Sequence, residues 1–369
     1  MSENVNKREE TLENRCPSCT ASISFNPKVG KWKCEYCGGE FDLEEMKKHS
    51  NNASIDKENI ERSKQQDVDL SEYVTYHCES CGAEIITDEQ TSATFCVYCG
   101  ATAILKSKLS GKFAPELIVP FKHTKEDAIN KFKSLSKGRA LVPKDFVSET
   151  NIEKIRGIYI PFWLYDIKTT GDLHMIGTNT TTWTMGNRRF VKTDKYKVVR
   201  GGVIDYNNIP IDGSKRFDND IMSSIEPFNL NEAVKYNHAY LSGFYAEKYD
   251  EDMNELFRRA SERAINSAVD RFKEEARGYQ SVLVESNNFK NKEEKRTYAL
   301  LPVWMVNIKY KEKMHTFAMN GQTGEFIGNI PLDMNKTILY SILIFIAFVL
   351  IIIIVSYLTS GVWLWWRKY

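Results

Sequence analysis

The stretch that decides the fold is Cys16-Pro-Ser-Cys19, joined by fourteen residues to Cys34-Glu-Tyr-Cys37. It occurs twice. Cys78-Glu-Ser-Cys81 is followed, again after fourteen residues, by Cys96-Val-Tyr-Cys99, and the four pairs use all eight cysteines. A Cys-x-x-Cys turn brings two thiolates ~3.5–4 Å apart, as tetrahedral zinc requires at Zn–S distances of ~2.3 Å. Fourteen residues suffice for a hairpin that carries one such turn to the other. Gly38, Gly82 and Gly100 follow three of the pairs, where a turn needs positive φ; Thr20 follows the first pair instead. A unit of ~25–30 residues is too small for an apolar core, so metal binding supplies its folding free energy. The expectation is two structural zinc ribbons, each closed by four cysteines, with no coordination position left for a catalytic water.

Working outward, the C-terminus carries a membrane signal. Between Lys336 and Arg367 no residue is charged, and Ile338–Leu358 reads ILYSILIFIAFVLIIIIVSYL. About 20 apolar residues at ~1.5 Å each cross a hydrocarbon core of ~30 Å. Trp363, Trp365, Trp366, Arg367 and Lys368 then read as an interfacial belt and anchor. The N-terminal MSENVNKREETLENR has no apolar run of the signal-peptide kind, which places residues 1–330 in the cytoplasm as an expectation. A reducing compartment also favours metal over disulfides for these cysteines.

The 369 residues carry a formal charge of +1, unevenly spread. Residues 1–110 hold 13 Lys/Arg against 19 Asp/Glu, and residues 111–369 hold 37 against 30. Each four-thiolate zinc adds a further −2 to the acidic front part. Phosphate binding needs clustered cations, and only Lys28, Lys31 and Lys33 cluster there, so protein contact is expected rather than nucleic acid. Trp32, Tyr36, Phe95 and Tyr98 are the candidate contact aromatics, with packing beneath each metal as their alternative role.

Met46 to Asp69 is polar and lacks aromatics, reading as a linker. From Phe113 the pattern turns globular. A strand is expected over 116–122 and a helix capped by Thr124, with Asp127 three residues on. A long apolar strand follows over 157–168, then a Thr/Gly-rich hairpin region to about 205. A helix over 252–277 shows Leu256, Phe257, Ala260, Ala264, Ala268 and Phe272 at helical spacing. Further strands lie at 280–286, 297–310 and 315–318, before a turn at 320–324. Pro161-Phe-Trp163-Leu-Tyr-Asp-Ile167-Lys168 also aligns with Pro302-Val-Trp304-Met-Val-Asn-Ile308-Lys309 at an offset of 141 residues. Either two buried strands have similar needs, or an α+β half is duplicated.

The organisation expected is therefore α+β: ribbon 14–43, linker 44–74, ribbon 75–106, α+β domain 111–332, transmembrane helix 337–360 and a tail 361–369. No phosphate loop, His-Glu-x-x-His, Gly-x-Gly-x-x-Gly or Gly-x-Ser-x-Gly occurs, and the six histidines are scattered, so no catalytic residue is assigned.

The whole chain resembles bacterial membrane proteins of the TFIIB-type zinc-ribbon-containing family. The resemblance rests on the four cysteine pairs, Pro115-Glu-Leu-Ile-Val-Pro-Phe-Lys122, Pro161-Phe-Trp163-Leu-Tyr, Ala239-Tyr-Leu-Ser-Gly-Phe-Tyr-Ala246 and Thr316-Phe-Ala-Met-Asn-Gly-Gln-Thr-Gly324. It implies an adaptor on the cytoplasmic face of the membrane, connected with membrane stress, that recruits protein partners; phage-shock-protein-A-like membrane remodellers are the partners it suggests. It carries over two Zn2+ ions and no catalytic residue. The rival readings are an enzyme with its site in the α+β domain and a membrane-tethered nucleic-acid binder.

Overall fold

The computed structural model describes residues 11–12, 14–50, 73–77, 84–88, 91–95, 102–105, 114–134, 139, 141–143, 146, 148, 151–152, 154–311, 313–328 and 330–366. The fold is mixed α+β, ending in one long apolar helix.

The front part opens with β1 (Thr11–Leu12) and a three-stranded antiparallel sheet of β2 (Ile23–Asn26), β3 (Lys31–Cys34) and β4 (Glu40–Phe41). Alternation puts Ile23, Phe25, Trp32 and Cys34 on its buried side. Helix α1 (Leu43–Ser50) follows at once. Asp42 and Glu45 exchange backbone-to-carboxylate bonds of 2.8 Å, a capping box that starts the helix inside what reads as linker. The rest of that linker, 51–72, lies outside the described residues. Next come the paired strands β5 (Tyr73–His77) and β6 (Glu84–Asp88), then β7 (Thr91–Phe95) and β8 (Thr102–Leu105).

The body is built from β9 (Leu117–Ile118), α2 (Lys125–Ser134), β10 (Arg156–Met185), β11 (Arg188–Asp212), α3 (Asn219–Ser224), β12 (Val234–Lys235), β13 (Tyr245–Glu247) and α4 (Met253–Glu274). It finishes with β14 (Ser281–Asn287), β15 (Lys290–Tyr310), β16 (Lys313–Asn320) and β17 (Phe326–Gly328), before α5 (Met334–Trp366). Among the described residues twelve strands form one sheet, and β7 and β8 belong to it: Ala93 of β7 pairs with Ala246 of β13.

The aligned segments 161–168 and 302–309 lie in β10 and β15, which pair antiparallel through Tyr159 and Pro302. The 141-residue offset also carries Ile158 onto Ala299. Ile158 pairs in parallel with Tyr245 of β13, and Ala299 pairs in parallel with Leu117 of β9. Each half thus runs short strand, helix, long strand, with β14 inserted before the long strand of the second, and lends its short strand to the other half's long strand. The turns repeat the relation: Gly213 N–H donates to Pro161 O and Gly321 N–H to Pro302 O, both at 2.8 Å. Asp250 and Glu251 then bond to Gly213 O as Lys122 and His123 bond to Gly321 O. The centre is a pseudo-two-fold sheet.

Helix α4 begins at Asp252, whose carboxylate accepts from the N–H groups of Asn254 and Glu255. Leu256, Ala260, Ala264, Ala268 and Phe272 make its buried stripe, and the small residues let it lie close on the strands. Trp163 and Trp304 are both core residues. Trp163 packs on Tyr249 and Tyr298, while Trp304 packs on Phe121 and donates from Nε1 to His123 O at 2.9 Å. Beyond Thr178, where β14 ends its pairing, β10 and β11 continue alone as a two-stranded arm to Met185 and Arg188.

Of α5, Met334–Ser356 is long and apolar enough to cross a membrane, and none of it is buried against the body. Asp333 N–H donates to Leu141 O at 2.9 Å, fixing where the helix leaves.

Candidate metal centre

Cys16, Cys19, Cys34 and Cys37 converge, with all four sulfur atoms within 4.8 Å of one another. Cys16 Sγ lies 3.6 Å from Cys37 Sγ, and Cys19 Sγ lies 3.5 Å from Cys34 Sγ. A tetrahedral ion with ~2.3 Å Zn–S bonds has S···S edges of ~3.8 Å, so the thiols already stand at the required spacing.

Two matching turns place them. Thr20 N–H donates to Cys16 O and Gly38 N–H to Cys34 O, each at 2.9 Å. Cys16 N–H reaches Ala21 O at 2.8 Å as Cys34 N–H reaches Gly39 O at 2.9 Å. Both turns use a left-handed residue, Gly38 at φ +73° and Thr20 at φ +59°. Thr20 thus takes the conformation that glycine takes in the second turn, and its hydroxyl donates to Cys19 O at 2.7 Å.

The electrostatics fit a cation. Donation from the Cys37 N–H, opposed by desolvation, brings the Cys34 thiol down to about 7. The Ala21 N–H pulls Cys19 the same way, yet desolvation and the crowding of Cys34, Cys37 and Cys16 push it up to about 12. Four adjacent sulfurs cannot all carry charge unless a positive ion sits among them. The donor set suits a soft, tetrahedral metal that needs no further ligand. Cys16 and Cys34 are buried, whereas Cys37 is exposed.

The centre is clamped to the body. Trp32, only 1% exposed, donates from Nε1 to Ala239 O at 2.8 Å and packs on Phe25 and Tyr240. Phe25 N–H donates to Ser242 O at 3.0 Å, and the buried Asn14 amide reaches Ser242 Oγ at 2.7 Å. A side chain at Gly243, φ +89°, would meet Ser24 at 3.1 Å. The same segment holds other parts too: Gly243 N–H donates to Thr102 Oγ1, and Tyr245 packs edge-on to Phe95 at 4.8 Å. Residues 238–247 are a hub joining the metal centre, β7–β8 and β10.

The other expected residues fall as follows. Trp32 is an internal contact between the metal unit and the body, which corrects its reading as a surface for partners; the chain's own Tyr240 and Ala239 occupy that role. Tyr36 is 84% exposed between Cys34 and Cys37, and Phe95 is half-buried. Cys78, Cys81, Cys96, Cys99 and Tyr98 lie outside the described residues, as do Arg367, Lys368 and the side chains of Trp363, Trp365 and Trp366. Missed from sequence were Asn14, Phe25, Tyr240 and Ser242. The motif Ala239–Ala246 was conspicuous, but it carries no charge or ligand that would betray a docking role.

Over 326 residues the chain is 34% identical to a protein of Bacillus subtilis (strain 168) described as uncharacterized protein YdjG, a match spanning 88% of this chain and 92% of that one. The chain belongs to the YdjG family. No protein-family model and no solved structure matches it. The YdjG match is long enough to take in residues of both the front part and the body.

Proposed function

We propose that this YdjG-family protein is a membrane-anchored adaptor whose zinc-bearing front part presents a fixed surface to protein partners on the cytoplasmic face of the bacterial membrane. The observation that carries the reading is the clamp: Trp32, Phe25 and Asn14 tie the four-cysteine centre to the body from which α5 departs. A four-thiolate zinc is structural, since it holds its unit folded and has no open position. The second cysteine set repeats the spacing of the first, and we assign it a second zinc. The exposed Tyr36, at the rim of the centre, is a ready contact. Confinement by α5 would raise the local concentration of whatever the front part holds. A tie to membrane stress, with phage-shock-protein-A-like proteins as partners, follows from the family resemblance.

In-cell crosslinking followed by co-purification of the full-length protein tests this, alongside Tyr36→Ala and Cys78→Ser/Cys81→Ser variants. Partners recovered with the wild type and lost with either variant support the adaptor. An unchanged set of partners in both variants would reject the front part as the recruiting surface.

A further inference from the structure

The arm of β10 and β11 is the largest feature that neither the metal centre nor the anchor explains. From Asn179 to Asp194 its two strands pair only with each other. A lone two-stranded ribbon is marginal in water and normally needs something to cover it. On one face Trp183 stacks on Phe190, centroids 5.6 Å apart and planes within 13°, with Met185 next to them. These side chains stand in solvent: Trp183 is 43% exposed, Met185 69% and Phe190 39%. The opposite face carries Thr180, Thr182 and Thr184. The arm carries Arg188, Arg189 and Lys192 against one acid, Asp194, and Lys195, Lys197 and Arg200 follow at its base on β11, so residues 179–200 carry +5.

Strand directions fix where the arm lies. β10 runs toward the turn at Gly186, whereas β17, antiparallel to β16, runs away from it. Gly328 pairs with Phe317 and Phe317 with Val306, one residue beyond the Met305–Arg156 pair at the start of β10. The chain therefore enters α5 at one end of the sheet and the arm leaves from the other. At ~3.3 Å per residue, Arg156 to Met185 is roughly 95 Å of strand path.

We infer that the arm binds an anionic phospholipid surface, lying along it with the Trp183–Phe190–Met185 face down. The +5 charge of the arm and its base complements anionic headgroups, while Trp, Phe and Met suit the interfacial zone. Arg188 and Arg189 directly follow the Gly186–Asn187 turn and would precede the rings into hydrocarbon, so the arm lies flat rather than plunging end-first. A second copy of the arm would bring like charge against like charge. Cations on both faces form no single track for a nucleic-acid backbone. Together with α5 the arm gives the body two separate attachments, which hold its long axis along the bilayer.

The test uses full-length protein in vesicles of phosphatidylglycerol and phosphatidylcholine, or of phosphatidylcholine alone. A carbene-generating photoprobe resides in the acyl region, and labelled peptides are mapped. Labelling of α5 reports the anchor separately: without it the anchor reading fails, whatever the arm does. The expected result is arm labelling in phosphatidylglycerol vesicles roughly tenfold or more above that of Arg188→Glu/Arg189→Glu/Lys192→Glu. Trp183→Thr/Phe190→Thr should lose it as well. These side chains are exposed, and unchanged metal content and α5 labelling show that the variants remain folded. Arm peptides labelled no more than the buried stretch 297–306 of β15, while α5 labels, would overturn the inference. So would an unlabelled arm that crosslinks to a second copy or retains nucleic acid.

Discussion

Trp32 Nε1 donates to the carbonyl of Ala239 at 2.8 Å, across 207 residues of chain. The indole lies within the metal unit and the carbonyl within the hub that pairs with β7 and β10. The four-cysteine centre is consequently not a bead on a tether. Its position is set by the body, through the Trp32 and Phe25 rings on Tyr240 and the hydrogen bonds of Trp32, Phe25 and Asn14 to residues 239–242.

Replacing Trp32 with Ala removes a buried ring and should cost about 3–5 kcal/mol. Trp32→Phe keeps most of the packing but leaves Ala239 O without its donor, a loss of about 1–3 kcal/mol. Denaturant unfolding of the full-length protein in detergent, monitored by circular dichroism, should rank wild type above Phe and Phe above Ala. Equal midpoints for all three would show that the clamp carries no stability.

Metal removal should loosen that contact. With a chelator and a thiol reductant, the emission of Trp32 is expected to shift to the red and residues 14–49 to become protease-sensitive, while α4 stays protected. Trp32→Phe subtracts the other tryptophans from the signal. A clamp that survives complete metal loss would show no difference in cleavage.

The pseudo-two-fold turns invite a paired comparison. A Cβ on Gly321 would meet the Phe121 ring at 2.5 Å and Pro302 at 2.9 Å, and Phe121 is held among Tyr159, Phe244 and Trp304. Gly321→Ala should destabilise by about 1–3 kcal/mol. On Gly213 the nearest atoms lie at 3.1 and 3.3 Å, on Tyr249 and Trp163, so Gly213→Ala should cost less. Thermal melting of the two variants checks the order.

Thr124 and Asp127 form a capping box, in which the Thr124 N–H donates to Asp127 Oδ2 at 2.9 Å. That bond is the largest cause holding the Asp127 carboxyl below its ordinary range. Because the folded value is the lower one, the stabilisation is complete above the unfolded carboxylate's range and is lost as pH falls through the folded value. Asp127→Asn should flatten the acid limb of stability against pH, with little change in slope near neutrality. An unaltered acid limb would assign the box no role in acid stability.

Much of this was legible because it is local. Cysteine spacing placed the first centre, a capping signal placed α2, helical spacing of apolar residues placed α4, and the uncharged run placed α5. The clamp was not legible, since Trp32 and Phe25 look the same whether they cover their own metal or a distant loop. The arm was legible only as a Thr/Gly-rich hairpin region: Thr180 to Thr184 have no buried face, so nothing in that run says that the two strands continue alone to Met185. The 141-residue repeat showed in Pro161 and Pro302, but the exchange of β9 and β13 between halves is a matter of long-range pairing. A strand of two or three residues has no periodicity to read.

The most direct measurement is the zinc content and sulfur coordination of the reduced full-length protein, beside Cys16→Ser/Cys19→Ser and Cys78→Ser/Cys81→Ser. The account predicts about two zinc ions per chain, each with four sulfurs at ~2.3 Å by X-ray absorption, and about one in either variant. A value near zero with all thiols reduced would contradict it.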